Sequence, residues 1–454
     1  MRTIETLREA IRGDVITPAD ADYDTARVVY NAMIDRRPAA VVRCADAADV
    51  IAAVRYATDN GLDVAVRGGS HSVPGFGTVD GGVVIDLSPM RNVRVDPGAA
   101  TATVGGGATW GDFNHATYPF GLATTGGIIS TTGVAGLTLG GGIGYLARGC
   151  GLSCDNLVEA DVVTANGEAI RASEDENADL LWALRGGGGN FGVVTTLTFR
   201  LHRVKDVYGG VMFYEADRAG DVLRFFRSYI EDAPLAFGGF PAFQIAPPLP
   251  FIPESRHGEP FIAIVACWSG ALERGENVLK PFHDIAPVVA EMVGPMPYPA
   301  MNSAFDALVP KGLQHYWKAN FVTELTDEAI AAHETFGPRV PYVSSTMHLY
   351  PINGVVHDVA PDATAFAYRD ANFAEVIAGM WLEPADNEAN IRWVRDYYSA
   401  TAPQSEQGGY VNFMSADDHD RVVVNYKENY LRLVEVKRRY DPSNVFHLNQ
   451  NIEP

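Results

Sequence analysis

An α+β fold in two domains is the architecture this sequence predicts, on three observations. At 454 residues the chain exceeds one ordinary hydrophobic core. Residues 38–68 read as a compact strand–helix–strand unit that runs straight into paired glycines. After about Lys205 the composition changes: Pro and aromatic residues rise, and strand-like stretches alternate with helix-like ones over 205–405. With 47% apolar residues there is ample material to bury.

In the first unit Ala39-Ala40-Val41-Val42-Arg43 is strand-like. Asp46 then offers a carboxylate to cap a helix. Val50, Ile51, Val54 and Ala57 recur at helical spacing, and Asn60-Gly61 stops the helix. Val64 to Val66 forms the next strand. Short strands follow at Val83–Leu87, Val93–Val95 and Thr101–Val104. Residues 121–151 carry too much glycine for a comfortable helix or strand, yet too much Ile, Val and Leu for a linker. They read as buried backbone pressed against a large flat ligand. Leu157–Thr164 and Ala169–Ala172 form a hairpin about Asn166-Gly167. Leu180–Arg185 is helical, Gly186–Gly189 breaks it, and Val193–Leu201 is a strand.

Gly187-x-Gly189-x-x-Gly192 matches the dinucleotide fingerprint letter for letter. The fingerprint needs strand, turn, then helix, whereas the order here is helix, glycines, strand. A Rossmann assignment is therefore rejected. Beyond 205, Phe261–Cys267 and Val343–Tyr350 read as strands, and Val222–Glu231 and Ile391–Ser399 as helices. Pro241, Pro247, Pro248, Pro250 and Pro253 read as one surface loop. Tyr426–Tyr440 reads as a single amphipathic helix ended by Asp441-Pro442.

A formal charge of −21 argues against nucleic acid and anionic membranes as partners. No apolar run spans a bilayer and the N-terminus lacks a secretory core, so the expected setting is the cytosol. The four cysteines, Cys44, Cys150, Cys154 and Cys267, have neither disulfide-framework nor zinc-ribbon spacing. No metal site is expected.

The strongest functional signal is Arg67-Gly68-Gly69-Ser70-His71-Ser72. Glycine lets backbone approach a ligand closely, and successive N–H groups in such a turn form a nest for phosphate. His71 is placed to touch whatever carries that anion; a plain tight turn before a surface histidine is the competing reading.

Taken with Tyr23-Asp24-x-Ala26-Arg27, Thr132-Gly133-Val134-Ala135-Gly136-Leu137-Thr138-Leu139-Gly140-Gly141-Gly142-Ile143-Gly144, Gly151-Leu152-Ser153-Cys154-Asp155-Asn156-Leu157, Arg185 to Gly192, Asn429-Tyr430-x-Arg432-Leu433 and the ending Tyr440 to Phe446 with Asn449-Gln450, that turn resembles the berberine-bridge-enzyme-like branch of the vanillyl-alcohol-oxidase flavoproteins. The resemblance runs nearly the full length.

It implies a two-part, PCMH-type FAD-binding domain from residues 1–204 (its core about 35–204) and 406–454. Between them, 205–405 is implied to be a substrate domain with an antiparallel sheet flanked by helices. It implies FAD bonded through its 8α carbon to His71. The cofactor contacts it implies are Arg67, Gly68, Gly69, Ser70, Ser72, Thr132, Gly133, Gly136, Leu139, Gly140, Gly141, Gly142, Gly144, Asp155, Gly189, Gly192, Val194, Asn412, Asn449 and Asn451. Some relatives carry a second, cysteinyl link three residues before the position of Thr132. Ile129 stands there, so a single link is expected. Thr132 is small, which favours access of oxygen.

The implied activity is oxidation of an alcohol, sugar or secondary metabolite by hydride transfer to flavin N5, with O2 reduced to H2O2. A flavin-dependent monooxygenase or oxidative cyclase, and a non-catalytic flavin carrier, stay open. Tyr426 is the first candidate for the base and Tyr410 the second, with Asn412 positioning. His348 and Tyr350, at i, i+2 on one strand, are candidate substrate contacts.

Overall fold

The structure, a computed structural model, describes residues 3–454. Three large sheets organise it, beside a two-stranded pairing of Leu122–Ala123 with His202–Arg203. In the first, Asp14–Ile16 pairs antiparallel with Ala40–Arg43. Val83–Asp86 lies between Ala40–Arg43 and Val64–Arg67, parallel to both. The strand reached after the glycine turn thus inserts between the two strands of the initial unit. Asp46 caps the intervening helix Ala47–Asp59, its carboxylate accepting the N–H groups of Ala48 and Asp49. Val50, Val54 and Ala57 bury on that helix, and Gly61 closes it at φ +63°.

The second sheet is antiparallel: Val93–Asp96, Thr101–Gly105, Val193–Arg200, Leu157–Val163 and Ala169–Ser173, in that spatial order. The third has seven strands, all antiparallel: Ala290–Pro297, Asp206–Glu215, Pro260–Trp268, Phe237–Ile245, Thr346–Pro351, Phe373–Trp381 and Gln314–Val322.

The continuous apolar run Phe261–Trp268 is explained by burial on both faces. Phe261, Ala263 and Val265 join one core with Phe240, Val376 and Ala378. Ile262, Ile264 and Trp268 join another, beneath the helices Ala219–Asp232 and Asn387–Thr401. The first of these faces lines the cavity described below.

Three local expectations fail. The glycine-rich stretch is not wholly irregular, because Val134–Leu139 and Ala147–Cys150 form short helices. Packing of Val134, Ala135 and Leu139 into the core outweighs glycine's poor helix propensity. Pro241 is not in a loop. It sits buried in the strand Phe237–Ile245, opposite Ile264 and outside the two positions, Ala242 and Phe243, that pair with Thr346–Pro351, so the ladder on that side does not need its N–H. Tyr426–Tyr440 is two helices, Val422–Tyr426 and Asn429–Tyr440, broken at Lys427 with φ +45°. Lysine bears that left-handed backbone with its ammonium 4.0 Å over the Tyr368 ring and 3.1 Å from Asp370.

The tail is anchored by a fully buried ion pair. Lys437 Nζ donates to Asp441 at 2.7 Å and to the carbonyls of Asn190 and Phe446 at 2.8 and 3.1 Å. Asp441 also accepts the N–H groups of Val445 and Phe446. Asn190, at the end of the 186–190 glycine segment, accepts the Ile452 N–H and donates to the Gln450 carbonyl. Lys437→Met should lower the first thermal transition and cost about 3–5 kcal/mol, because it strands a buried carboxylate. Calorimetry showing an unchanged transition would refute this anchoring role.

Candidate functional site

One cavity of about 380 Å³ takes its walls from all three regions. Its first wall is the glycine turn after Val64–Arg67. Arg67, Gly68, Gly69, Ser70, His71 and Ser72 all line it. Ser70 takes φ +67°, so the turn itself is left-handed at a non-glycine residue.

Gly69 and Gly133 cross at backbone contact. A Cβ on Gly69 would lie 2.3 Å from the Gly133 nitrogen, and one on Gly133 would lie 2.5 Å from the Gly69 nitrogen. Only glycine fits at both places. The crossing sets Thr131 and Thr132 against His71, whose Nε2 is 3.0 Å from Thr131 Oγ1 and whose Nδ1 is 3.4 Å from Thr132 Oγ1. The ring stacks on Tyr30 at 3.9 Å, and Tyr30 in turn meets His315 at 4.9 Å. Burial lowers the His71 pKa to about 4, so the imidazole is neutral across the physiological range.

Thr132, Gly133, Gly136, Leu139 and Gly140 continue the wall, with Gly189, Gly192 and Val194 from the helix–glycine–strand segment. A Cβ on Gly136 or Gly189 would meet no protein atom within 4 Å. Their small size therefore serves the cavity and not the packing. Asn449 reaches the wall from the tail, and its Oδ1 is buried without a partner.

Five expected contacts lie off the wall. Gly141 and Gly142 sit behind it, where a Cβ would strike Phe366 or Ser153. Gly144 lies under the Gly126 carbonyl, 1.6 Å from where its Cβ would be. Their glycines answer to neighbouring protein. Asp155 spends its carboxylate on Arg369, at 2.9 and 2.6 Å, and on the Leu152 N–H. Asn451 does not reach the wall.

The other wall is the seven-stranded sheet. His348 and Tyr350 both face the cavity, as their i, i+2 spacing requires, and His348 Nδ1 lies 2.5 Å from the Tyr350 hydroxyl. Burial lowers the His348 pKa to about 3 and raises that of Tyr350. Tyr410, Asn412 and Tyr426 close the site. The Tyr410 oxygen accepts the Gly142 N–H and Asn412 Nδ2, each at 2.8 Å. Burial raises its pKa, and those two donors oppose the rise. The Tyr426 hydroxyl is buried with no partner, and burial raises its pKa unopposed by any donor.

Tyr30, Gln244 and Trp317 line the cavity and were not expected to. Alternation along Phe240-Pro241-Ala242-Phe243-Gln244 carries a signal for Gln244, since Phe240 and Ala242 share its face. Tyr30 lies in irregular chain and no periodicity marks it. Among the described residues no cluster suits a metal ion, and no helix is long and apolar enough to cross a membrane.

Below about pH 6.5 the unfolded chain takes up protons that His71, His315, His333 and His348 refuse, with folded pKa values of about 4, 3, 3 and 3. Glu375, raised to about 7 by burial, opposes them with one proton between its ordinary value and 7. The sign is therefore loss of stability as pH falls from 6.5 toward 4. A thermal midpoint that holds or rises over that interval would contradict it.

Comparison with known proteins follows the same geography. Residues 38–173 match the FAD binding domain family, and residues 409–453 match the family described as berberine and berberine like. The chain is 30% identical over 452 residues to an FAD-linked oxidoreductase of Dictyostelium discoideum, covering 98% of this chain and 96% of that protein. It superposes on the crystal structure of 6-hydroxy-D-nicotine oxidase from Arthrobacter nicotinovorans with a TM-score of 0.86 and 28% identity, over the whole of both chains. Glucooligosaccharide oxidase from Acremonium strictum, a protein with a 6-S-cysteinyl, 8α-N1-histidyl FAD, shares the fold with a TM-score of 0.86 at 22% identity, over 100% of this chain and 99% of that one.

Proposed function

The chain belongs to the berberine-bridge-enzyme-like FAD-linked oxidoreductases, and we propose that it is an oxidase that holds FAD by one covalent bond at His71 and converts a hydroxylated small molecule to a carbonyl compound. The observation that carries this reading is a neutral imidazole on a cavity wall of bare glycine backbone. The residues present fit a flavin. Gly136 and Gly189 leave room that any side chain would take, and the unpartnered Asn449 Oδ1 and Arg67 Nη1 are buried polar atoms awaiting a ligand.

Bound FAD would supply a two-electron acceptor for the hydride of the substrate carbon and a route for that electron pair to O2, with H2O2 as the product. His71 supplies the anchoring nitrogen. A neutral ring has one nitrogen free of a proton, and Thr131, Thr132 and the Tyr30 stack fix its orientation. Ile129 lines the cavity with a side chain that forms no bond to a ring carbon, so the attachment is single, unlike that of the oligosaccharide oxidase.

Tyr410, rather than Tyr426, takes the substrate hydroxyl proton. Its oxygen alone among the phenols on the wall accepts two N–H bonds, and those bonds favour the phenolate that must be present before the substrate proton arrives. Tyr426, with no donor on its oxygen, acts as a hydrogen-bond donor toward the bound substrate. Asn412 holds Tyr410 in place through Nδ2, which it also anchors on the Leu137 carbonyl. Residues 1–204 and 406–454 form the cofactor-binding part and 205–405 the substrate part. Four free thiols suit a reducing compartment such as the cytosol.

Acid-precipitated protein should stay yellow, and His71→Ala should release its flavin under the same treatment. A colourless wild-type pellet would overturn the covalent attachment. Turnover should yield one H2O2 per substrate oxidised; turnover without peroxide would point to the monooxygenase or cyclase reading. Tyr410→Phe should lower kcat by about 10²–10⁴ with flavin content unchanged, while the rate of the parent enzyme should climb with pH toward the alkaline range. Full activity in Tyr410→Phe would remove it as the base.

A further inference from the structure

The sheet wall of the cavity carries no charge. Among the described residues lining the cavity there is no Asp, Glu or Lys, and the only permanently charged side chain is Arg67, on the glycine-turn wall and paired with Asp86 at 2.8 Å. His348 is held neutral by burial. An ion brought into such a space loses its hydration and finds no counter-charge.

The wall is instead aromatic. Phe413 stands against Trp317 at 5.9 Å and against Tyr350 at 5.8 Å, and Tyr350 meets Phe240 at 4.6 Å. Trp317 also lines the cavity, and its indole Nε1 is buried with no partner, so a ligand there needs an acceptor oxygen. Two polar side chains of this wall are committed within the protein. Thr346 Oγ1 donates to the Phe243 carbonyl, and Asn412 Nδ2 donates to Leu137 and Tyr410.

Resting on the oxidase reading above, we propose that this cavity selects an uncharged aromatic alcohol and rejects the protonated amine, the carboxylate and the oligosaccharide. Shape is not the discriminator: an alcohol and an amine on the same ring system differ there only in charge. An amine would need a carboxylate on the wall, and Gln244 marks where one could stand, since it lines the cavity and its amide is held only by a 3.4 Å contact to the Val343 carbonyl.

The test uses the flavin-loaded protein with its flavin first reduced by dithionite under argon, so that no ligand is oxidised, titrated at pH 7 with 2-naphthalenemethanol, 2-naphthylmethylamine, 2-naphthoate and cellobiose. Flavin absorbance and tryptophan fluorescence report binding. The alcohol should bind at least about tenfold more tightly than each of the others. Gln244→Glu should raise affinity for the amine by about tenfold or more. Equal or tighter binding of the amine, the carboxylate or the disaccharide by the parent protein would overturn the proposal, as would failure of the alcohol to bind. Admitting oxygen separates the two readings. If the alcohol is preferred but yields no peroxide, the oxidase assignment fails and the selectivity stands. If the amine is oxidised as well as the alcohol, the selectivity fails and the oxidase assignment stands.

Discussion

Two stretches of backbone touch where Gly69 meets Gly133, and the site is built outward from that contact. Neither residue tolerates a Cβ, because each would drive it into the other's main chain. The contact locks the turn after Val64–Arg67 to the segment that opens the helix Val134–Leu139. His71 follows on one side and Thr131 and Thr132 on the other, so the ring is seated between hydroxyls without any flexible side chain deciding its place. Precision of this kind comes from backbone, which has few ways to move.

Burial then sets the chemistry. The same apolar surroundings that keep His71 and His348 neutral raise the phenols of Tyr350, Tyr410 and Tyr426. Among those phenols the hydrogen-bond pattern discriminates. Tyr410 accepts two N–H donors, Tyr350 is tied to His348, and Tyr426 has no protein partner. Three tyrosines of one residue type thereby acquire three different capacities. The buried Lys437–Asp441 pair acts at longer range, fixing the tail whose Phe446 and Asn449 complete the cavity wall.

Much of this was legible in the chain because it depends on local rules. The Asp46 cap, the stop at Asn60-Gly61, the hairpin about Gly167 and the refusal of a Rossmann order after Arg185 are each written within a dozen residues. His348 and Tyr350 sharing a face follows from the two-residue period of a strand. Other features escaped because they are decided by neighbours distant in sequence. Pro241 entered a strand at a position that pairs on one side only, opposite Ile264, where the missing N–H is tolerated. At the glycines 141, 142 and 144 a Cβ would strike Phe366, Ser153 and Gly126, neighbours that the local sequence does not announce. The break at Lys427 runs against the residue's own preference and is held by Tyr368 and Asp370.

The sequence by itself determined the fold class, the family and the histidine in its glycine turn, since motif order and residue type carry those. Only the tertiary structure decided which tyrosine receives hydrogen bonds, that Tyr30 stacks on His71, and that the sheet wall holds no counter-charge. Hydrogen bonds and desolvation depend on which surfaces meet, and those meetings join residues more than 200 positions apart, as Gly142 to Tyr410 and Lys437 to Asn190 do.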